Sequence, residues 1–206
     1  MREAAAIWNQ RYSGAEHGVY EPWLDRWKTV LVGHGDQALE LGCGVGYDTE
    51  VLMSWGFEVT ALDVSRVAVE RSRQRNPGAI HRVMDLRNIG SLSSGFDVVV
   101  ASLSLHYFNR GETTAVFKSV HDLLNPGGVF AFRVNAFDDA EYGASGDARS
   151  WERICVDGVS KQFFTPEKIA IVLRGRWRIV SQEKMNTSRF GQRKSFFEVI
   201  AQKPSE

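Results

Sequence analysis

The chain has 206 residues, 43% hydrophobic and 24% charged, which suits one globular domain able to bury a core without disulfide or metal staples. Its 25 basic and 25 acidic residues balance, so a nucleic-acid partner, which calls for a basic excess, is not expected. No run approaches 18 apolar residues, the N-terminal MREAAAIWNQ lacks a secretory apolar stretch, and Cys43 and Cys155 have no metal spacing; a cytoplasmic protein without membrane span or disulfide framework is expected.

The first predicted element is a helix over residues 3–13, carrying Ile7, Trp8 and Tyr12. A second helix is predicted over 20–32, with Trp23, Leu24, Trp27, Val30 and Leu31 at helical spacing and Gly33 and Gly35 ending it. From residue 36 strands and helices alternate. Strands are predicted at 37–41, 57–62, 79–84, 96–103 and 129–134, and helices at 47–55, 65–75 and 111–124. A helix at 166–173 begins at Thr165, with Pro166 in its first position. Strands at 177–182 and 196–201 close the chain and pair as an antiparallel hairpin across a long connection. The alternation predicts an α/β fold, a doubly wound and mostly parallel sheet. Arg66, Arg71, Arg73 and Arg75 form the one dense basic run, read as a solvated helix face.

The first strand runs into Glu40-Leu41-Gly42-Cys43-Gly44-Val45-Gly46-Tyr47. Glycines permit a tight turn and a close approach of ligand to backbone, and the following helix offers free amides. In a doubly wound sheet this place, beyond the carboxyl ends of the strands, is where ligands bind. A glycine loop alone is a weak signal. Asp63 sharpens it, because a carboxylate about twenty residues on, at the second strand's end, can accept both hydroxyls of a ribose. Asp85 ends the third strand, where it can accept from an adenine amino group. A dinucleotide and S-adenosylmethionine both fit a ribose carboxylate. The dinucleotide fingerprint has a third glycine where this chain has Tyr47, and the Glu40 carboxylate would sit badly beside two phosphates. It would sit well near the amino group of a methionine moiety.

These residues resemble the motifs of class I S-adenosylmethionine-dependent methyltransferases. Glu40–Gly46 is similar to the first motif and residues 59–65 to the second. Asp85-Leu86 matches the adenine-contact position, residues 96–106 the fourth motif, and residues 123–128 the turn before the fifth strand. The resemblance implies a Rossmann-like, seven-stranded sheet with a C-terminal antiparallel hairpin and S-adenosylmethionine as cofactor. Trp8, Tyr12, Glu40, Gly42, Cys43, Gly44, Gly46, Asp63, Val64, Asp85, Leu86 and Ser102 are the expected cofactor-binding residues. More loosely, Trp8, Arg11 and Tyr12 resemble a cluster in small methyltransferases of the tellurite-resistance and thiopurine type.

The whole chain is read as one domain: an N-terminal helical lid at 1–35, a cofactor core at 36–135, a substrate-side insertion at 136–165, and a closing helix and hairpin at 166–206. Methyl transfer from a sulfonium mainly needs alignment of the acceptor and exclusion of water. His106 and Tyr107 follow the fourth strand on the expected acceptor side. His106 is read either as a base or as a pocket-shaping histidine. Arg133 is read either as the binder of an anionic substrate group or as the partner of Asp138, Asp139 or Glu141. His17, His34, His81 and His121 lack ligand spacing, and no metal is expected. The expected activity is methyl transfer to a small molecule by a monomer or homodimer. A dinucleotide-dependent oxidoreductase and a non-catalytic S-adenosylmethionine-binding module are the alternatives.

Overall fold

The computed structural model of the chain describes residues 2–14, 20–188 and 191–205; His17 therefore lies outside the described residues. Helix α1 spans Arg2–Ser13 and a single short helix α2 spans Lys28–Leu31. Then β1 (Gln37–Leu41), α3 (Tyr47–Ser54), β2 (Glu58–Asp63), α4 (Arg66–Arg75), β3 (Ile80–Val83), β4 (Phe96–Ser102), α5 (Arg110–Leu123) and β5 (Leu124–Asn135) alternate. The chain continues through the short strands β6 (Ile154–Val156) and β7 (Val159–Lys161), helix α6 (Pro166–Leu173), and strands β8 (Arg178–Thr187) and β9 (Lys194–Gln202).

Seven strands form one sheet in the order β3-β2-β1-β4-β5-β9-β8. β1 to β5 run parallel, while β9 is antiparallel to both β5 and β8. This is the expected doubly wound sheet with a closing hairpin. β4 and β5 are buried on both faces, as parallel strands flanked by helices must be. On one face Val99, Ala101, Phe130 and Phe132 pack with Val116, Phe117 and Val120 of α5 and Ile169 and Val172 of α6. On the other, Val98, Val100 and Ala131 pack with Leu31 of α2, Leu52 of α3 and the indoles of Trp23 and Trp27. β1 lies between β2 and β4, so the strand order reverses beside the glycine loop.

Two expectations are corrected, and the segment 136–165 gains an element that was not predicted. The helix predicted over 20–32 contracts to a 3-10 turn at Asp25–Trp27 and the one-turn α2. Tertiary contacts override the periodicity there. The Trp23 indole donates to Asp48 at 2.9 Å and the Trp27 indole to Glu198 at 2.6 Å, on different elements, while Trp23 N–H bonds back to Glu21 rather than into a helix. The segment 136–165 contains a β-hairpin, β6–β7, turning at Asp157-Gly158 with φ of +50° and +75°. The Asp-Gly dipeptide between apolar valines is a hairpin signal. The C-terminal strands also run longer than predicted, meeting through pairs up to Thr187 and Lys194.

Candidate active site

The glycine loop is held from behind by the second strand. The N–H groups of Gly42 and Cys43 both donate to the Leu62 carbonyl at 2.8 Å. The next residue, Asp63, is 7% exposed, and its carboxylate accepts from the N–H of Gly44 at 3.0 Å and of Ser65 at 2.8 Å. One carboxylate thus ties the loop after β1 to the start of α4. Burial nevertheless pushes the Asp63 carboxyl above its ordinary range, against the pull of those N–H groups.

A cavity of about 320 Å³ opens in front of this loop. Gly42, Asp63, Val64, Asp85, Leu86 and Ser102 line its sheet side, all expected from sequence. Trp8 and Tyr12 of α1 and Tyr107 line the opposite side. α1 reaches this position because Asn9 accepts from the Ser65 hydroxyl at 2.8 Å, and because Gly14 offers its carbonyl to Arg71 at 3.0 Å. The loop backbone is close-packed. A methyl on Gly42 would come within 2.5 Å of the Ser104 Cβ, and one on Gly44 within 2.9 Å of the Tyr12 hydroxyl. Gly44 and Gly46, both at positive φ, shape the loop from just outside the cavity lining. Cys43 is buried, its thiol turned to the Gly44 carbonyl and raised well above its usual pKa by burial, which makes it inert.

Glu40 lies behind the loop rather than on the cavity wall. It is 3% exposed, accepts a short hydrogen bond from the Thr49 hydroxyl, and is pushed up to about 8 by burial and the nearby charge of Asp48. Asp85 keeps its charge by a different route. Arg87 donates to both of its oxygens, at 2.9 and 2.6 Å, and holds the carboxyl below its usual range. Arg87 also lines the cavity and reaches Glu112 at 3.1 Å. Sequence reasoning missed it, because an arginine two residues beyond a carboxylate carries no motif. Leu103, also on the cavity wall, has φ of +54°, an uncommon conformation for a branched residue and one that concentrates at functional sites.

Two expected acceptor-side residues, His106 and Arg133, do not line this cavity. His106 is 2% exposed and stands behind Tyr107, the ring centroids 4.3 Å apart. Burial, with the charges of Lys194 and Lys161, drives its pKa well below the ordinary value, so the imidazole is neutral at pH 7. Arg133 pairs with none of Asp138, Asp139 and Glu141. It donates to Glu21 at 2.7 Å and to the Ser102 hydroxyl, and it lies 4.5 Å from the Trp23 ring. β5 points Arg133 under the segment before α2, whereas Asp138 and Asp139 lie past the strand's end and pair with Lys184 and Lys194. Among the described residues no group of His, Cys, Asp or Glu could hold a metal ion, and no helix is long and apolar enough to cross a membrane.

The cavity fits an adenosyl-amino-acid ligand by its donor set. A glycine cradle with no room for a Cβ meets a buried carboxylate at one strand end and a charged carboxylate at the next. Comparison with known proteins agrees. Residues 38–128 match the family model described as a methyltransferase domain. An uncharacterized methyltransferase of Synechocystis sp. is 32% identical over 105 residues, covering 50% of this chain and 49% of the relative. Malonyl-[acyl-carrier protein] O-methyltransferase of Salmonella typhimurium is 27% identical over 177 residues, covering 85% of this chain and 65% of the relative. The chain spans about half the length of the first curated relatives it matches. Among solved structures, N-methyltransferase NodS of Bradyrhizobium japonicum, in complex with S-adenosyl-L-homocysteine, superposes with a TM-score of 0.71 at 18% identity. That likeness covers 98% of this chain and 99% of the other, and it shows the fold. With the reversed strand order at the loop and the carboxylates at the strand ends, residues 38–128 are similar to a methyltransferase domain, and the whole chain shares its fold with a methyltransferase solved with S-adenosyl-L-homocysteine.

Proposed function

We propose that the chain transfers the methyl group of S-adenosylmethionine to a small-molecule acceptor by in-line displacement. The observation that carries this is the cavity bounded by Gly42, Asp63 and Asp85 on the sheet side and by α1 and Tyr107 on the other. When bound, the cofactor supplies a methyl group already activated by a positive sulfur. The protein's share is to bind, align and exclude water, which can supply roughly 7–11 kcal/mol of the barrier. Asp63 takes the ribose and Asp85, braced by Arg87, the adenine. Trp8, Tyr12 and residues 1–35 act as a lid, and the aromatic rings suit a sulfonium. Tyr107 meets the acceptor. The Tyr107 hydroxyl is held neutral by burial, its pKa raised, so it donates or accepts a hydrogen bond without charge. The Trp8, Arg11 and Tyr12 cluster, with Arg11 5.1 Å from the Trp8 ring, supports placing the chain with the small tellurite-resistance and thiopurine-like enzymes.

The test has two arms. S-adenosylhomocysteine is expected to bind in calorimetry and NAD is not; tight NAD binding with no S-adenosylhomocysteine binding would overturn the cofactor reading. Labelled S-adenosylmethionine with a metabolite pool is then expected to yield labelled small molecules. Binding without transfer to any acceptor would leave a sensor instead of an enzyme.

Glu40 makes binding sensitive to pH. Its pKa of about 8 lies above the ordinary 4.5. Its contribution to ligand-free stability is therefore complete below about 4.5 and is lost as pH rises through about 8. Glu40 stands behind the loop, and an ammonium group bound in front of that loop favours its ionised form, so binding near pH 6.5 releases protons. Affinity for S-adenosylhomocysteine is expected to rise between pH 6 and 8, by up to about tenfold per unit. Calorimetry in buffers of different ionisation heat should show the proton release, and Glu40→Gln should abolish it. Affinity that is flat across this range in the unaltered protein would exclude Glu40 from the amino-group site.

A further inference from the structure

Behind Tyr107 lies a polar cluster that cofactor binding leaves unused. His106 Nδ1 is buried without a hydrogen-bond partner among the described residues. Asn135, the last residue of β5, is fully buried, and neither its amide nitrogen nor its amide oxygen has a partner there. The stretch following β7 stitches these two residues together. Gln162 N–H donates to the His106 carbonyl at 2.6 Å, and Phe164 N–H donates to the Asn135 carbonyl at 2.8 Å. Lys161, the last residue of β7, lies near enough to His106 for its charge to depress the imidazole's pKa. It is 8% exposed and makes no hydrogen bond or salt bridge among the described residues.

The other charges around Lys161 are accounted for. Lys194 pairs with Asp139 at 3.2 Å, Arg133 pairs with Glu21, and Arg11 donates to the Asp157 carbonyl at 3.0 Å. Asp157 and Asp139 attract Lys161 and Arg11 repels it, without forming a bridge. Lys161 carries a charge with no counter-ion at this place, and the buried polar groups of Asn135 and His106 without partners call for an explanation. A single ligand group would meet the donors among them: an anion that accepts from Lys161 and from the Asn135 amide nitrogen, with the neutral His106 ring beside it, while the Asn135 and Gln162 side-chain oxygens, also unpartnered, are left to donors of the ligand or to water.

We propose that Lys161, Asn135 and His106 bind an anionic group, carboxylate or phosphate, of the acceptor. This rests on the methyl-transfer reading and names its substrate class as small organic anions. The position suits the acceptor because Tyr107, which lines the cavity that holds Asp63 and Asp85, is also in ring contact with His106 and so sets the cluster next to that cavity. Arg11 of α1 donates to the Asp157 carbonyl at the turn of the hairpin β6–β7, whose last residue is Lys161.

The test uses the whole chain saturated with S-adenosylhomocysteine and titrates it calorimetrically with benzoate, inorganic phosphate and benzamide. At least one of the two anions is expected to bind about tenfold or more tighter than benzamide; which one does separates carboxylate from phosphate. Lys161→Met is expected to remove that preference, about tenfold or more in affinity for a lost charge-assisted contact, while S-adenosylhomocysteine binding is unchanged. Lys161→Arg should retain it. Should Lys161→Met fail to fold, Asn135→Asp, which sets a like charge at the same spot, should abolish anion binding. The proposal is overturned if neither anion outbinds benzamide, or if the folded Lys161 or Asn135 variant keeps the anion affinity. It is equally overturned if Lys161→Met weakens S-adenosylhomocysteine as much as the anion, since Lys161 would then serve the cofactor. Failure of S-adenosylhomocysteine to bind the unaltered chain would instead strike the methyl-transfer reading.

Discussion

Replacing Asp63 by alanine is expected to weaken S-adenosylhomocysteine binding by about 100-fold or more. Two hydrogen bonds from ribose hydroxyls to an ionised carboxylate are lost, each worth about 1.5–3 kcal/mol, and about 3 kcal/mol corresponds to roughly 100-fold. The loop suffers as well, because Gly44 N–H and Ser65 N–H lose their acceptor. Folding stability should change less than binding does. Asp63 carries a desolvation penalty, visible in its raised pKa, and its removal relieves that penalty while the two N–H groups lose their bonds. Asp63→Asn is expected to lose nearly as much affinity, since the amide nitrogen would face a hydroxyl or an N–H as a second donor. Calorimetry for binding and thermal unfolding for stability separate the two effects. An alanine variant that binds within about threefold of the unaltered protein would remove Asp63 from the ribose site.

The fold was readable where one physical demand dominated. β1, β4 and β5 are buried on both faces, so their apolar runs admit no other reading. The Asp63 assignment held its place on the cavity wall because spacing after a glycine loop is a backbone constraint, fixed by one strand, one helix and one more strand. Reading failed where side chains answer to distant partners. Trp23 and Trp27 repeat like helix-core residues, yet each indole N–H needs a carboxylate on another element. Arg133 was assigned to substrate or to acidic residues downstream, while its partner, Glu21, lies 112 positions away in sequence. Residues 183–187 alternate with exposed polar side chains and resemble a connection, but β9 gives them a partner edge. The polar cluster at Lys161, Asn135 and His106 is the extreme case. Its members come from three separate elements, and although the end of the fourth strand points to His106, nothing local joins it to Lys161.

Gly42→Ala is expected to cost about 2–4 kcal/mol of stability and to close the cofactor cavity with it. Gly42 has φ of +81°, a conformation that costs an L-residue roughly 1–2 kcal/mol. The added methyl would also stand 2.5 Å from the Ser104 Cβ and 3.1 Å from its hydroxyl. That hydroxyl already donates to the Leu41 carbonyl at 2.6 Å, so Ser104 cannot swing aside without giving up a bond. Overpacking of this kind adds roughly 1–3 kcal/mol. At about 2–4 °C per kcal/mol for a chain of this size, the unfolding midpoint should fall by roughly 5–15 °C. Gly56→Ala provides the reference. Its φ is +95° and nothing lies within 4 Å of an added methyl, so only the backbone penalty remains. The difference between the two variants isolates the contact between the tips of β1 and β4. Ser104→Gly should restore part of the loss in the Gly42→Ala background while destabilising the unaltered chain, a coupling that independent sites would not show. If Gly42→Ala unfolds no earlier than Gly56→Ala, the two strand tips do not approach as closely as the geometry requires. The cavity wall would then owe nothing to the first glycine of the loop.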